Sequence, residues 1–322
     1  MIRVAVSVAI VAVCFASAPF LLAQSKDWPF PTQSPGRAAG LATPSPPARA
    51  ASTPPPAGTP MRQLTWETIA NREVSVRGAN ALAINPRAWY HGETENFILH
   101  YRVFSDALQI AREIEFDLWL VAKTLGAGKE QYARKSHVFF FADDTEWKIF
   151  LKQVNHREQW AHSFAHGDEL FLNVHGTGQG FESDTLAHET THAIVSRIYG
   201  RRQWPLWLSE GFAEYMGDAT GAVRRGLSPG ANPRILHSAS MTASELIGVS
   251  RYPENRAAVQ RVYDTGTKFV RYLFAKYPAE RFPQFVSRLL DGAPPQTALL
   301  EIYGDEFRDM PAFDKRFQTL IR

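Results

Sequence analysis

The chain reads as an α+β protein: a small mixed sheet with packed helices, followed by a mostly helical half. Three observations predict this. Three short apolar runs with strand character fall between residues 96 and 175, separated by stretches of helical periodicity. From about residue 206 onward the spacing is helical only. Between the halves lies His188-Glu189-Thr190-Thr191-His192, on a segment that itself has helical spacing.

Before the first element come two segments outside the fold. Met1-Ile2-Arg3 is a short positive start, and residues 4–23 are almost wholly apolar or small. Residues 1–23 read as a secretory signal peptide, or as an uncleaved anchor that tethers the chain to a membrane. Either places the protein outside the cytoplasm, periplasmic or extracellular. Residues 24–62 are rich in Pro, Ala, Ser and Thr, too poor in apolar surface to offset the entropy of ordering. They read as a disordered linker, which leaves 63–322 as the folded domain.

In that domain residues 64–90 show no clear pattern. Asn96–Val103 reads as a strand, and a helix follows, capped by Ser105 or Asp106. Its apolar positions Leu108, Ala111, Ile114, Leu118 and Val121 keep helical spacing, and Gly126 ends it. His137–Ala142 is a second strand, with Phe139-Phe140-Phe141 as core residues. Asp143-Asp144-Thr145 then caps a helix to about Val154. Leu170–His175 is a third strand, closed by the glycines of residues 176–180. A helix from Ser183-Asp184 to Gly200 carries the two histidines, with Leu186, Ala193, Ile194 and Ile198 on its buried face. Further helices fall near 206–217, 255–276, 279–290 and 311–321.

Composition narrows the chemistry. Residues 1–62 hold five of the 35 Lys and Arg (Arg3, Lys26, Arg37, Arg49, Arg62) and one of the 32 acids (Asp27). The domain is left with 30 basic and 31 acidic residues, which gives no case for nucleic acid as a partner. The single cysteine, Cys14, lies in the N-terminal run, so a metal in the domain would be held by His, Asp or Glu.

On a helix, His188 and His192 lie one turn apart on one face and can grip one zinc ion. Glu189 sits beside them, where its carboxylate can act on water. A third ligand is needed, and Glu210 follows His192 by 18 residues. That separation lets one helix end at Gly200 and a second return past the metal. Pro205 suits the first turn of that second helix. Glu214, one turn beyond Glu210, can accept the other ring N–H of a zinc-bound histidine. Gly211 would let the two helices approach closely.

His188-Glu189-x-x-His192 followed by Trp207-Leu208-Ser209-Glu210-Gly211-x-Ala213-Glu214 resembles the gluzincin metallopeptidases of the thermolysin-like clan, most of all their bacterial peptidase MA-like branch. The resemblance spans about 97–290. It implies a thermolysin-like zincin, with one Zn2+ held by His188, His192 and Glu210, and with Glu189 as general base. Glu214 would orient a ligand histidine, His188. It further implies a strand antiparallel to the substrate above the metal helix, for which 169–175 is the candidate. It also implies a tyrosine on a later helix as donor to the oxyanion, for which Tyr263 is the choice.

These signals together read as a zinc-dependent peptidase acting on a peptide or protein substrate. The alternatives are a non-catalytic zinc-binding scaffold of the cell envelope and a zinc hydrolase of cell-wall amides. His162, His166 and His175 are candidates to line the cleft, and His237 is a candidate additional catalytic histidine.

Overall fold

The computed structural model describes residues 60–156, 161–174, 183–200, 202–231 and 241–320. The leader (1–23), the linker as far as residue 59, residues 175–180 and His237 lie outside the described residues. The first strand, β1 (Arg62–Leu64), begins on the last residue of the expected linker.

The α+β reading holds: among the described residues a six-stranded mixed sheet is packed with helices, and helices alone follow. After β1 come α1 (Val76–Ala83), β2 (Tyr90–Glu93), β3 (Phe97–Tyr101) and α2 (Phe104–Leu125). Then follow β4 (Ser136–Phe141), α3 (Asp144–Gln153), β5 (Ser163–His166), β6 (Glu169–Asn173) and α4 (Ser183–Tyr199). The helical half is α5 (Leu206–Arg224), α6 (Ala243–Ile247), α7 (Arg256–Lys276), α8 (Arg281–Leu290), α9 (Pro295–Tyr303) and α10 (Met310–Leu320).

The strand order is β1-β2-β3-β4-β6-β5. The first three strands are antiparallel, β3, β4 and β6 run parallel, and β5 returns antiparallel to β6. Alternation along the strands sends Phe97, Leu99, Val138, Phe140, Leu170 and Leu172 to the core shared with α2 and α4. Phe139, Phe141, Phe164 and Phe171 go to an aromatic core on the opposite face with Ala81, Trp147 and Phe150. The run Phe139–Phe141 is thus core, as its composition suggests.

Local chemistry explains the boundaries. Asp143 caps α3 by accepting the N–H groups of Thr145 and Glu146. Gly126 ends α2 at φ 64°, a left-handed conformation that favours glycine. The expected cap of α2 is corrected: the helix starts at Phe104, Val103 precedes it without a side-chain cap, and Ser105 Oγ bonds Asp106 instead. Asp106 lies inside the first turn, where a carboxylate favours the helix dipole.

Two further corrections concern glycines. α5 runs seven residues past the expected end at 217, and Gly217 within it is a packing position. A Cβ there would meet the Asp184 carbonyl of α4 at 3.1 Å. Gly211, expected to ease the approach of α4 and α5, instead faces α7. A Cβ on Gly211 would lie 2.4 Å from the carbonyl carbon of Gly266, and one on Gly266 only 2.6 Å from the Trp207 carbonyl oxygen. The two glycines let α5 and α7 touch backbone to backbone. Trp207 packs on Phe269, and Trp204 on Phe212 and Phe282, so both indoles belong to this helical core.

A histidine ladder crosses the aromatic face of the sheet. His91 Nδ1 lies 2.8 Å from His100 Nδ1, and His100 Nε2 lies 2.9 Å from His137 Nδ1. His100 and His137 are fully buried, and His100 stacks on Phe139 at 4.6 Å.

Candidate metal centre

Helices α4 and α5 bring together the residues that the spacing pairs. His188 and His192, one turn apart on α4, point their Nε2 atoms at each other across 3.1 Å. Glu210 on α5 places Oε2 at 3.5 Å from His188 Nε2 and 3.6 Å from His192 Nε2. All three residues are buried, and they are the one His/Cys/Asp/Glu group among the described residues whose ligand atoms converge for a metal ion. Tetrahedral bonds of 2.0–2.1 Å would separate ligand atoms by about 3.3–3.4 Å, so the triangle fits a zinc-sized ion. Glu210 Oε2 has no hydrogen-bond partner among the described residues, which is how a ligand oxygen would stand.

Each imidazole is held from behind by its other nitrogen. His188 Nδ1 lies 3.4 Å from Glu214 Oε1, as the one-turn spacing predicts. His192 Nδ1 lies 3.3 Å from Ser209 Oγ. Both contacts fix the ring so that Nε2 faces the point where the three ligand atoms converge. The role of Ser209 is not visible in the motif, because its hydroxyl reaches His192 only through the crossing of the two helices.

Charge is balanced inside the group. Burial opposes charge on His188, yet the Glu210 and Glu214 carboxylates outweigh it and hold its pKa well above the ordinary value. Burial pushes Glu210 up, but His192 and His188 pull it far below the usual carboxylate range. Glu189 is raised by burial, with the two imidazoles only partly offsetting it. Its Oε2 accepts the Ala165 N–H of β5 at 3.0 Å, and its Oε1 has no hydrogen-bond partner among the described residues.

The chain matches no protein-family model and no curated protein. The site therefore stands on its own geometry.

Tyr263 on α7 lies against this centre. Its ring is parallel to that of His188, 1° apart in plane and 6.4 Å between centroids. Burial, with Glu210 and Tyr252 next to it, raises its pKa well above the ordinary phenol, so it keeps its proton and can donate a hydrogen bond. Tyr252 is a residue the sequence reading missed. It lies outside any helix, between α6 and α7, and donates its hydroxyl to Glu210 Oε1 at 2.7 Å. No periodicity marks it.

The strand expected above the metal helix is corrected. Residues 169–173 form β6, which is hydrogen-bonded on both sides, to β4 and to β5. The sheet edge that meets α4 is β5, through Ala165. His162 and His166 alternate onto the Phe164 face of that edge, opposite the face that packs on α4. Among the described residues no helix is long and apolar enough to cross a membrane.

Proposed function

We propose that the chain is a zinc-dependent peptidase of the gluzincin type, with a thermolysin-like arrangement, that works outside the cytoplasm on peptides or proteins. One observation carries the reading. His188 Nε2, His192 Nε2 and Glu210 Oε2 converge at 3.1–3.6 Å with the Glu189 carboxylate buried beside them. A zinc ion held by those three atoms supplies Lewis acidity towards a carbonyl and towards water.

The residues of the chain do the rest. Glu189 keeps one oxygen on the β5 backbone, and its other oxygen is available to take a proton from water and return it to a leaving amine. Tyr263 donates a hydrogen bond to negative charge that develops on the scissile oxygen. The outer edge of β5 suits main-chain pairing with an extended substrate, which would bring a peptide bond past Glu189.

The test is hydrolysis of a mixed peptide library by the wild-type domain and by Glu189→Gln. Activity should disappear on chelation, return with Zn2+, and be absent from zinc-loaded Glu189→Gln. Persistent turnover by that variant removes the proposed base. Stoichiometric zinc binding without turnover on any peptide pool removes the peptidase reading and leaves a zinc-binding scaffold.

A further inference from the structure

On the reading just proposed, Glu210 offers the cation one of two carboxylate oxygens, and we infer that Tyr252 is the positioning residue that decides which. Three observations lead there. The Tyr252 hydroxyl donates to Glu210 Oε1 at 2.7 Å. The other oxygen, Oε2, is the one 3.5 and 3.6 Å from the two imidazole nitrogens. Glu210 is 1% exposed, so bulk water does not readily take over a lost partner.

A carboxylate tied through one oxygen cannot bring both oxygens to a metal without giving up that bond. Tyr252 therefore holds Glu210 as a one-oxygen ligand. It also orients the carboxylate before an ion arrives, which favours binding. A second phenol, Tyr263, is hydrogen-bonded to both Glu210 and Tyr252. Tyr263 stacks on His188 from helix α7 and serves the substrate. Tyr252, from the segment before α7, serves the ligand set.

The experiment uses apoprotein prepared with a chelator. Zn2+ affinity is read by competition with a chromogenic chelator, and the coordination number by the visible spectrum of the Co2+ form. Wild type, Tyr252→Phe, Tyr263→Phe and His188→Ala are compared. Tyr252→Phe should bind Zn2+ about ten- to a hundredfold more weakly. Its Co2+ absorption should weaken as Glu210 swings both oxygens onto the ion. Tyr263→Phe should change the Co2+ spectrum less than Tyr252→Phe does, since the Tyr252 hydroxyl still holds Glu210 Oε1.

A Tyr252→Phe protein with wild-type affinity and spectrum overturns the inference and leaves the metal reading intact. A Tyr252→Phe apoprotein that does not fold also overturns it, by showing that the hydroxyl serves stability. If wild type takes up no stoichiometric Zn2+, or His188→Ala binds it equally well, the metal reading itself fails and the inference falls with it.

Discussion

The contact between α5 and α7 sets up a test in which two physical effects have opposite signs. On an open helix, Gly→Ala stabilises by about 1 kcal/mol. At Gly266 the added Cβ would sit 2.6 Å from the Trp207 carbonyl oxygen and 3.1 Å from Gly211 Cα, both of them backbone. Carbon contacts relax near 3.5–4.0 Å, so the helices must part by roughly 0.5–1 Å. Overpacking of this kind costs about 1–3 kcal/mol, which outweighs the propensity gain at most of that range. Net of the propensity gain, the loss is up to about 2 kcal/mol, so for a domain of this size the melting temperature should fall by up to about 8 °C. Tyr263 lies one turn before Gly266, and Glu210 adjoins Gly211, so the same displacement separates the phenol from the candidate metal centre. A misplacement near 1 Å lowers turnover by about a hundredfold. The assay is calorimetry together with kcat on a cleaved peptide. Gly221→Ala in α5 is the control. Its Cβ would meet only Arg225 Nη1 at 3.4 Å and the Asp184 carboxylate at 3.6 Å, so that change should be neutral or stabilising. A Gly266→Ala protein melting at or above wild type would refute the argument.

Tyr263→Phe should lower kcat by about 10²–10³-fold, as loss of an oxyanion donor does, with KM little changed. A loss confined to KM would instead make Tyr263 a binding residue. Acid should expose the buried histidines. Burial pushes His137 and His156 down to about 4 and, with its neighbours His137 and His91, holds His100 well below its usual value. An unfolded histidine titrates near ~6.5, so between there and about 4 the unfolded chain takes up protons that the folded one refuses. The stability these groups contribute is full above ~6.5 and is lost as pH falls through that window. Urea melts at pH 7.5 and pH 4.5 should show His137→Gln losing less stability on acidification than wild type, by up to about 3 kcal/mol. A wild-type-minus-variant difference that does not change with pH would contradict a neutral buried ladder.

Much of this centre was legible because its parts sit close together in the chain. The separation of four between His188 and His192 and of 18 to Glu210 translates directly into one helix, a turn and a returning helix. Glu214 follows from the same arithmetic. Other features needed the third dimension. Ser-Phe-Ala-His carries too short a pattern to announce β5, and that strand exists because β6 offers it an edge. β2, Tyr-His-Gly-Glu, is hidden for the same reason. In one dimension the glycines of α5 do not show which helix they face. Only the packing shows that Gly211 serves α7 and Gly217 serves α4. Tyr252 belongs to no periodic segment, so its approach to Glu210 left no trace in the spacing.

The group that could hold a cation is local, and the residues proposed to act with it are not. The three converging atoms and their two supporting oxygens all come from residues 188–214, a single helical hairpin. An ion there would cross-link points 18 residues apart, a loop whose closure entropy is small, so the hairpin can capture it early in folding. Tyr252 and Tyr263 arrive from 42 and 53 positions beyond Glu210, and β5 from the sheet before it. On the proposed reading, a chain that has docked α4 on α5 but not yet α7 would hold an ion while remaining inert, and hydrolysis would begin only once the last large helix is seated.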